Sequence, residues 1–180
     1  MRRMFRRQIR KSLAQEVPPV LQEANFVFDK GEYGRAAELY EKIAEIADAR
    51  GGPRAPLFHL QAGRARILAG QTALGMPSLK RGLELLKQGE YFLRLHRSRR
   101  GIIAELNERG LIKEASEIEF WLKAELPPAP ILDESEISKH PVLPTHCPSC
   151  GAPLRLDEVD WLDDVTAECG YCGSPVREKN

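Results

Sequence analysis

No stretch of this chain is apolar over the roughly 18 to 20 residues that a membrane-spanning helix needs. The first residues also lack the apolar run of a secretory signal. Catalytic signatures are missing. Gly51, Gly52, Pro53 and Arg54 resemble a phosphate loop only in their glycines, without the Gly-Lys-Ser/Thr end that grips phosphate. No nucleophile elbow, H-E-x-x-H pattern or dinucleotide fingerprint occurs. Histidine is scarce, and His59, His96, His140 and His146 are scattered along the chain. Cysteine is confined to positions 147, 150, 169 and 172. These absences leave a thin inventory for an active site, so a non-catalytic protein is expected. With 29% charged and 42% hydrophobic residues, the 180-residue chain suits a soluble protein of one ordinary domain plus a small one. Metal-type cysteine spacing without an export signal makes a reducing cytoplasm the expected compartment.

The cysteines form two C-x-x-C pairs, Cys147/Cys150 and Cys169/Cys172, with 18 residues between the pairs. Each pair puts two thiolates on one tight turn, and Gly151 and Gly173 just beyond allow the backbone a positive φ. Two such turns facing each other supply four sulfurs in a tetrahedron. That arrangement suits Zn²⁺ and leaves no open position for substrate. Branched and aromatic residues among turn formers in 153–168 read as short antiparallel strands. Residues 146–176 resemble the zinc-ribbon family, a module too small to fold without the energy of its metal. Disulfides and a four-sulfur iron site are the alternatives. His146 is expected to be a bystander, because four thiolates already complete the site.

The net charge of +1 hides a strong asymmetry. Residues 1–11 carry six basic side chains and no acid, whereas residues 145–180 carry three basic and seven acidic ones. Four thiolates on a divalent ion add to the acidity of the ribbon. An anionic ribbon is poorly suited to grip phosphates, since nucleic-acid affinity rests largely on Lys and Arg. At the other end, Met1, Phe5, Ile9 and Leu13 recur every four residues, with Arg2, Arg3, Arg6, Arg7, Arg10 and Lys11 on the opposite side. Pro18 and Pro19 end this helix. Three readings stay open: a leading helix packed on the following ones, a helix lying on an anionic membrane surface, and an arm for RNA, ribosome or organelle targeting.

Residues 20–126 read as helix pairs punctuated by Gly31, Gly70 and Gly110, which lie 39 and 40 residues apart. After the first turn come Ala36, Tyr40 and Ile43; after the second, Gly75, Leu79 and Gly82 take their places. Ala24 and Gly63 each precede their turn glycine by seven residues, where two helices must approach closely. This pattern resembles the tetratricopeptide repeat, closest in 20–50 and weakest in 89–126, where Ile103 replaces the small residue and Glu119 the aromatic. A generic array of helical hairpins is the alternative. Either way each pair has an apolar face that only stacking can bury. Leu39, Tyr40, Ile43, Ala44 and Ile46 are core candidates of the first pair, and Leu79, Leu83, Leu85 and Leu86 of the second. Ile102, Ile103, Leu106, Leu111, Ile112, Ile118 and Leu122 close the stack, with Trp121 at its end. Pro77 implies a helix that begins near Met76 or is kinked.

The resemblance implies a concave face that binds proteins or peptides, lined by Leu21, Asn25, Leu60, Arg64, Ile67, Arg97 and Arg100. Asn25 fits the carboxylate-clamp pattern of that family, but Leu21 stands where a lysine belongs, so chaperone-tail binding is not expected. Arg94, His96, Arg97, Arg99 and Arg100 form a basic run able to receive an acidic partner.

The expected organisation is a basic amphipathic helix (1–17), a tetratricopeptide-like α-solenoid of helical hairpins (18–126), a Pro-rich acidic linker (127–145) and a small β zinc ribbon (146–180). Proline at the density found in 127–145 makes an extended tether, whose acidic centre could reach the Arg94–Arg100 face. The expected function is an adaptor or scaffold. Asn25, Arg64, Arg97 and Arg100 contact a protein partner, Cys147, Cys150, Cys169 and Cys172 hold Zn²⁺, and the N-terminal helix offers peripheral membrane contact. The runner-up is a nucleic-acid- or ribosome-associated factor using the basic arm.

Overall fold

The computed structural model describes residues 17–123, 141–154, 159–163 and 165–178. The expected basic helix, residue 17 apart, and most of the expected linker lie outside the described residues. Among the described residues six helices come first: α1 (Pro19–Asp29), α2 (Tyr33–Ala49), α3 (Ala55–Leu68), α4 (Thr72–Gln88), α5 (Phe92–Glu108) and α6 (Ile112–Lys123). Three short strands follow: β1 (Asp160–Asp163), β2 (Thr166–Glu168) and β3 (Pro175–Arg177). They form an antiparallel sheet in the order β1-β2-β3, with Trp161 opposite Ala167 and Ala167 opposite Val176. The architecture is therefore mainly α, helical hairpins plus a small open sheet, as the sequence leads one to expect. No helix among the described residues is long and apolar enough to cross a membrane.

The helices end by one repeated device. Gly31, Gly51, Gly70, Glu90 and Gly110 all have positive φ, between 58° and 79°. At all five turns the next N–H reaches back five residues: Glu32 to the Val27 carbonyl (3.0 Å), Gly52 to Ala47 (2.7 Å), Gln71 to Arg66 (2.8 Å), Tyr91 to Leu86 (2.9 Å) and Leu111 to Leu106 (2.9 Å). This Schellman closure satisfies carbonyls that a helix end leaves open. The turns at Gly51 and Glu90 fall between those marked by glycine spacing, so each of α1–α5, not each pair, is closed in this way. None of α1–α5 has a side-chain N-cap, so these helices depend on packing rather than on local capping.

Helices α3 and α4 approach closely enough to exclude side chains from both. A Cβ on Gly63 would lie 2.8 Å from the Gly75 carbonyl oxygen, and one on Gly75 would lie 2.7 Å from that of Gly63. Gly63→Ala is expected to destabilise the protein by about 1–3 kcal/mol, since the obstruction is backbone and cannot rotate away. Denaturant unfolding checks this; an unchanged midpoint would mean that the helices separate freely.

Tyr40, Ala44, Leu79, Leu83, Leu86, Leu106, Ile118 and Leu122 are buried as expected. Leu39, Ile43, Ile102, Ile103, Leu111 and Trp121 pack at the core's margin. Ile46 and Ile112 correct the expectation, being 54% and 57% exposed: the apolar stripes are wider than the faces that neighbours cover. The helix start expected near Met76 is also corrected, a kink being the other reading of Pro77. Pro77 lies inside α4, which begins at Thr72 rather than near Met76.

Three helices meet at Asp48. Its carboxylate accepts hydrogen bonds from Arg81 Nε (2.9 Å) and Nη2 (3.0 Å) on α4, and His59 Nε2 on α3 lies 3.3 Å away. The Arg81 hydrogen bonds hold the Asp48 carboxyl below its usual range, while burial lowers the His59 pKa despite the pull of Asp48. His59 therefore stays neutral and donates Nε2–H. Below about pH 6.5 the unfolded chain takes up a proton that the folded imidazole resists, so this contribution to stability is full above that pH and declines below it. Melting temperature is expected to fall between pH 7 and 5. His59→Gln, which cannot titrate, should flatten part of that slope; an identical slope would exclude His59 as its source.

Candidate metal centre and the groove beside it

Both cysteine pairs adopt the same local turn. The Gly151 N–H donates to the Cys147 carbonyl and the Gly173 N–H to the Cys169 carbonyl, each at 2.8 Å, with φ of 73° and 75° at the glycines. These bonds wrap each C-x-x-C so that its two sulfurs share one side. The four Sγ atoms then lie within 4.8 Å of one another, with Cys147–Cys172 at 3.7 Å and Cys150–Cys169 at 3.8 Å. A tetrahedron with metal–sulfur bonds of about 2.3 Å places its sulfurs about 3.8 Å apart. A disulfide requires about 2.05 Å, and all four cysteines are free, so the disulfide alternative is corrected. The residues present fit a single tetrahedral metal ion. Cys147, Cys150 and Cys169 are buried and Cys172 is partly so.

The electrostatics also call for a cation. Mutual hydrogen bonding, led by Cys150, pulls the Cys147 thiol down to about 6, and contacts led by Cys147 pull Cys172 down as well. The same contacts push Cys150 and Cys169 up. A divalent ion would take all four as thiolates. Ser174 Oγ, 3.2 Å from Cys172 Sγ, is placed to donate to an ionised sulfur. His146 is turned away as expected, its Nε2 3.1 Å from Asp29 and its Nδ1 3.1 Å from Thr145 Oγ1.

The small cysteine-bearing sheet packs on the first helices. Leu143, Cys147, Cys150, Ala152, Val159, Ala167, Tyr171 and Val176 belong to one buried cluster with Leu21, Ala24, Tyr40 and Phe58 of α1–α3. Polar contacts lock the two together. Asn25, fully buried on α1, donates from Nδ2 to the Cys150 carbonyl at 2.7 Å and accepts from the Tyr40 hydroxyl at 2.7 Å. The amide orientation follows from chemistry, since a carbonyl can only accept. Gln22 Nε2 donates to the Ser149 carbonyl (3.2 Å), Gln61 contacts the Tyr171 hydroxyl, Arg54 pairs with Glu168 (3.0 Å) and Arg94 pairs with Asp160.

The sequence-predicted groove is thus partly filled by the chain itself. Leu21 and Asn25 are buried, and Asn25 serves the cysteine knuckle instead of facing an open surface. The remainder is a cleft of about 100 Å³ with helices α3 and α5 on one side and ribbon residues on the other. Leu60, Arg64, Ile67 and Arg97 line it. Arg64 pairs with Glu105 across the cleft at 2.8 Å. Arg100 is exposed and does not line it. Sequence reasoning missed Gln61, Asp160 and Tyr171. The one available signal was the polar pair Gln22 and Asn25 on the otherwise apolar side of α1. Arg2, Arg3, Arg6, Arg7, Arg10 and Lys11 lie outside the described residues.

In comparison with known proteins, the chain matches no family model, no curated protein and no solved structure.

Proposed function

We propose that this chain is a non-catalytic protein-interaction adaptor of the cytoplasm, in which a zinc ribbon and a tetratricopeptide-like helical array together shape one recognition cleft. The observation that carries this reading is the cleft walled by α3, α5 and the ribbon. Neither part makes it alone, so the metal site has a purpose beyond its own fold. Zinc is the ion of this reading, as a closed set of four thiolates suits a structural ion, and a four-sulfur iron site would share that geometry. Ion pairing within the cleft, Arg64 with Glu105 and Arg94 with Asp160, supports recognition rather than chemistry. Ribbon acids also engage helix arginines, Glu168 with Arg54 and Asp160 with Arg94, which reduces the positive charge available for a phosphate backbone. A protein partner is therefore favoured over nucleic acid. Membrane contact through residues 1–17 would add a second, weaker attachment.

Site-specific photocrosslinking in native lysate tests the reading. A photoreactive residue at Ser98, which lines the cleft, is compared with one at Leu74, which is exposed and outside it. The adaptor reading expects a defined protein adduct at Ser98 alone that survives nuclease. Adducts that vanish with nuclease, or none specific to Ser98, would overturn it.

A further inference from the structure

We infer that the cleft receives a short acidic peptide segment that inserts one leucine-sized apolar side chain, and that Gly101 keeps the entrance open for it. This rests on the adaptor reading and specifies its partner.

Gly101 lies within α5, where glycine is less favourable than alanine. Such a cost usually answers a steric need. It does so at Gly63, Gly75 and Gly82, where an added Cβ would lie within 2.8 Å of neighbouring atoms. At Gly101 nothing stands within 4 Å of the added carbon. Packing therefore does not require this glycine, yet it borders the cleft. Any larger residue there would project into space that an occupant could use.

Size and charge define that occupant. The cleft's volume of about 100 Å³ is below the roughly 150 Å³ that accommodates benzene, so one aliphatic side chain suits it better than an aromatic ring. Leu57, Leu60, Leu154, Val159 and Tyr171 are among its apolar lining. Arg97, one helical turn before Gly101 on the same face, also lines it. Arg64 and Arg94 have carboxylate partners, whereas Arg97 has none among the described residues. Arg100, exposed beside it, adds a second cation without such a partner. An apolar socket with a spare guanidinium at its edge matches a leucine flanked by carboxylates, because arginine binds a carboxylate through two parallel hydrogen bonds.

The probe is a displayed library of random nonapeptides, selected on the full metal-loaded chain and counter-selected on Gly101→Leu. That variant adds a leucine side chain at an open helical position bordering the cleft, and its melting temperature should not fall. Enrichment of peptides with one aliphatic residue beside Asp or Glu is expected. Arg97→Glu should weaken the enriched peptides at least about tenfold, consistent with loss of a charge-assisted hydrogen bond. Higher salt should weaken them too. No enrichment, enrichment of basic or neutral sequences, or equal binding to Gly101→Leu would overturn the proposal. If Ser98 still crosslinks a nuclease-resistant protein under those outcomes, the adaptor reading survives and only the peptide class falls. If an RNA oligonucleotide displaces that protein, both fail.

Discussion

Removing the metal is expected to loosen the first three helices as well as the ribbon. Structural zinc sites carry apparent binding energies of roughly 10–16 kcal/mol, comparable to the whole stability of about 5–15 kcal/mol of an ordinary domain. Without an ion, the buried thiols cannot all remain ionised at this spacing, and the two knuckles repel or reprotonate. The ribbon then loses the turns that present Cys147, Ala152, Tyr171 and Val176 to Leu21, Ala24 and Phe58. Hydrogen exchange with and without a strong chelator should show lost protection in 141–178 and increased exchange in α1 and α3. Protection in α6, which packs in the other buried cluster, should change least. Cys169→Ser should reproduce the chelated pattern. Acid should do the same, because the bound sulfurs are thiolates and protons compete for them: retention is full at neutral pH and is lost as pH falls. Unchanged exchange in α1 and α3 after verified metal loss would show that the shared cluster is not cooperative.

Asn25→Leu is expected to be the most damaging substitution outside the cysteines and the helix crossings. The side chain is fully buried and bridges two partners, so its loss strands the Cys150 carbonyl and the Tyr40 hydroxyl together. Each stranded group costs roughly 1–3 kcal/mol, giving a total of about 2–4 kcal/mol after partial relaxation. Tyr40→Phe should cost less, since it strands only the Asn25 Oδ1. Burial, with help from Asp29 and Cys150, already pushes the Tyr40 hydroxyl well above its ordinary pKa, so it remains a donor across the working pH range. Denaturant unfolding of metal-saturated protein checks the order. Asn25→Leu within about 0.5 kcal/mol of wild type would remove the relay from the forces holding the ribbon.

Much of this architecture is legible because it is written in local spacing. The C-x-x-C pairs and their glycines mark the metal turns, and Gly31, Gly70 and Gly110 mark helix ends that φ confirms. Glu90 occupies the same left-handed position with no compositional signal, held by the hydrogen bonds around it. The docking of the ribbon leaves almost no trace in the sequence. Its central bond runs from Asn25 to a backbone carbonyl 125 positions away, and carbonyls look alike at every residue. Asn25 could be placed on the concave side from helical register, but register does not say what fills that side. Ile46 and Ile112 show the converse limit: periodicity locates an apolar stripe, and only the neighbours decide its width.

The return of the ribbon onto the first hairpins also sets an order of events during synthesis. Helices α1–α3 are complete by Leu68, but their covering surface is unfinished until Val176 has been added. At about 5–20 residues per second, that interval is on the order of 5–20 s. Throughout it the nascent chain presents Leu21, Ala24 and Phe58 without the partners that later bury them. A growing chain of this kind is open to capture by chaperones or by its own neighbours on the polysome. Its yield should therefore depend on translation speed and metal supply at the moment of emergence.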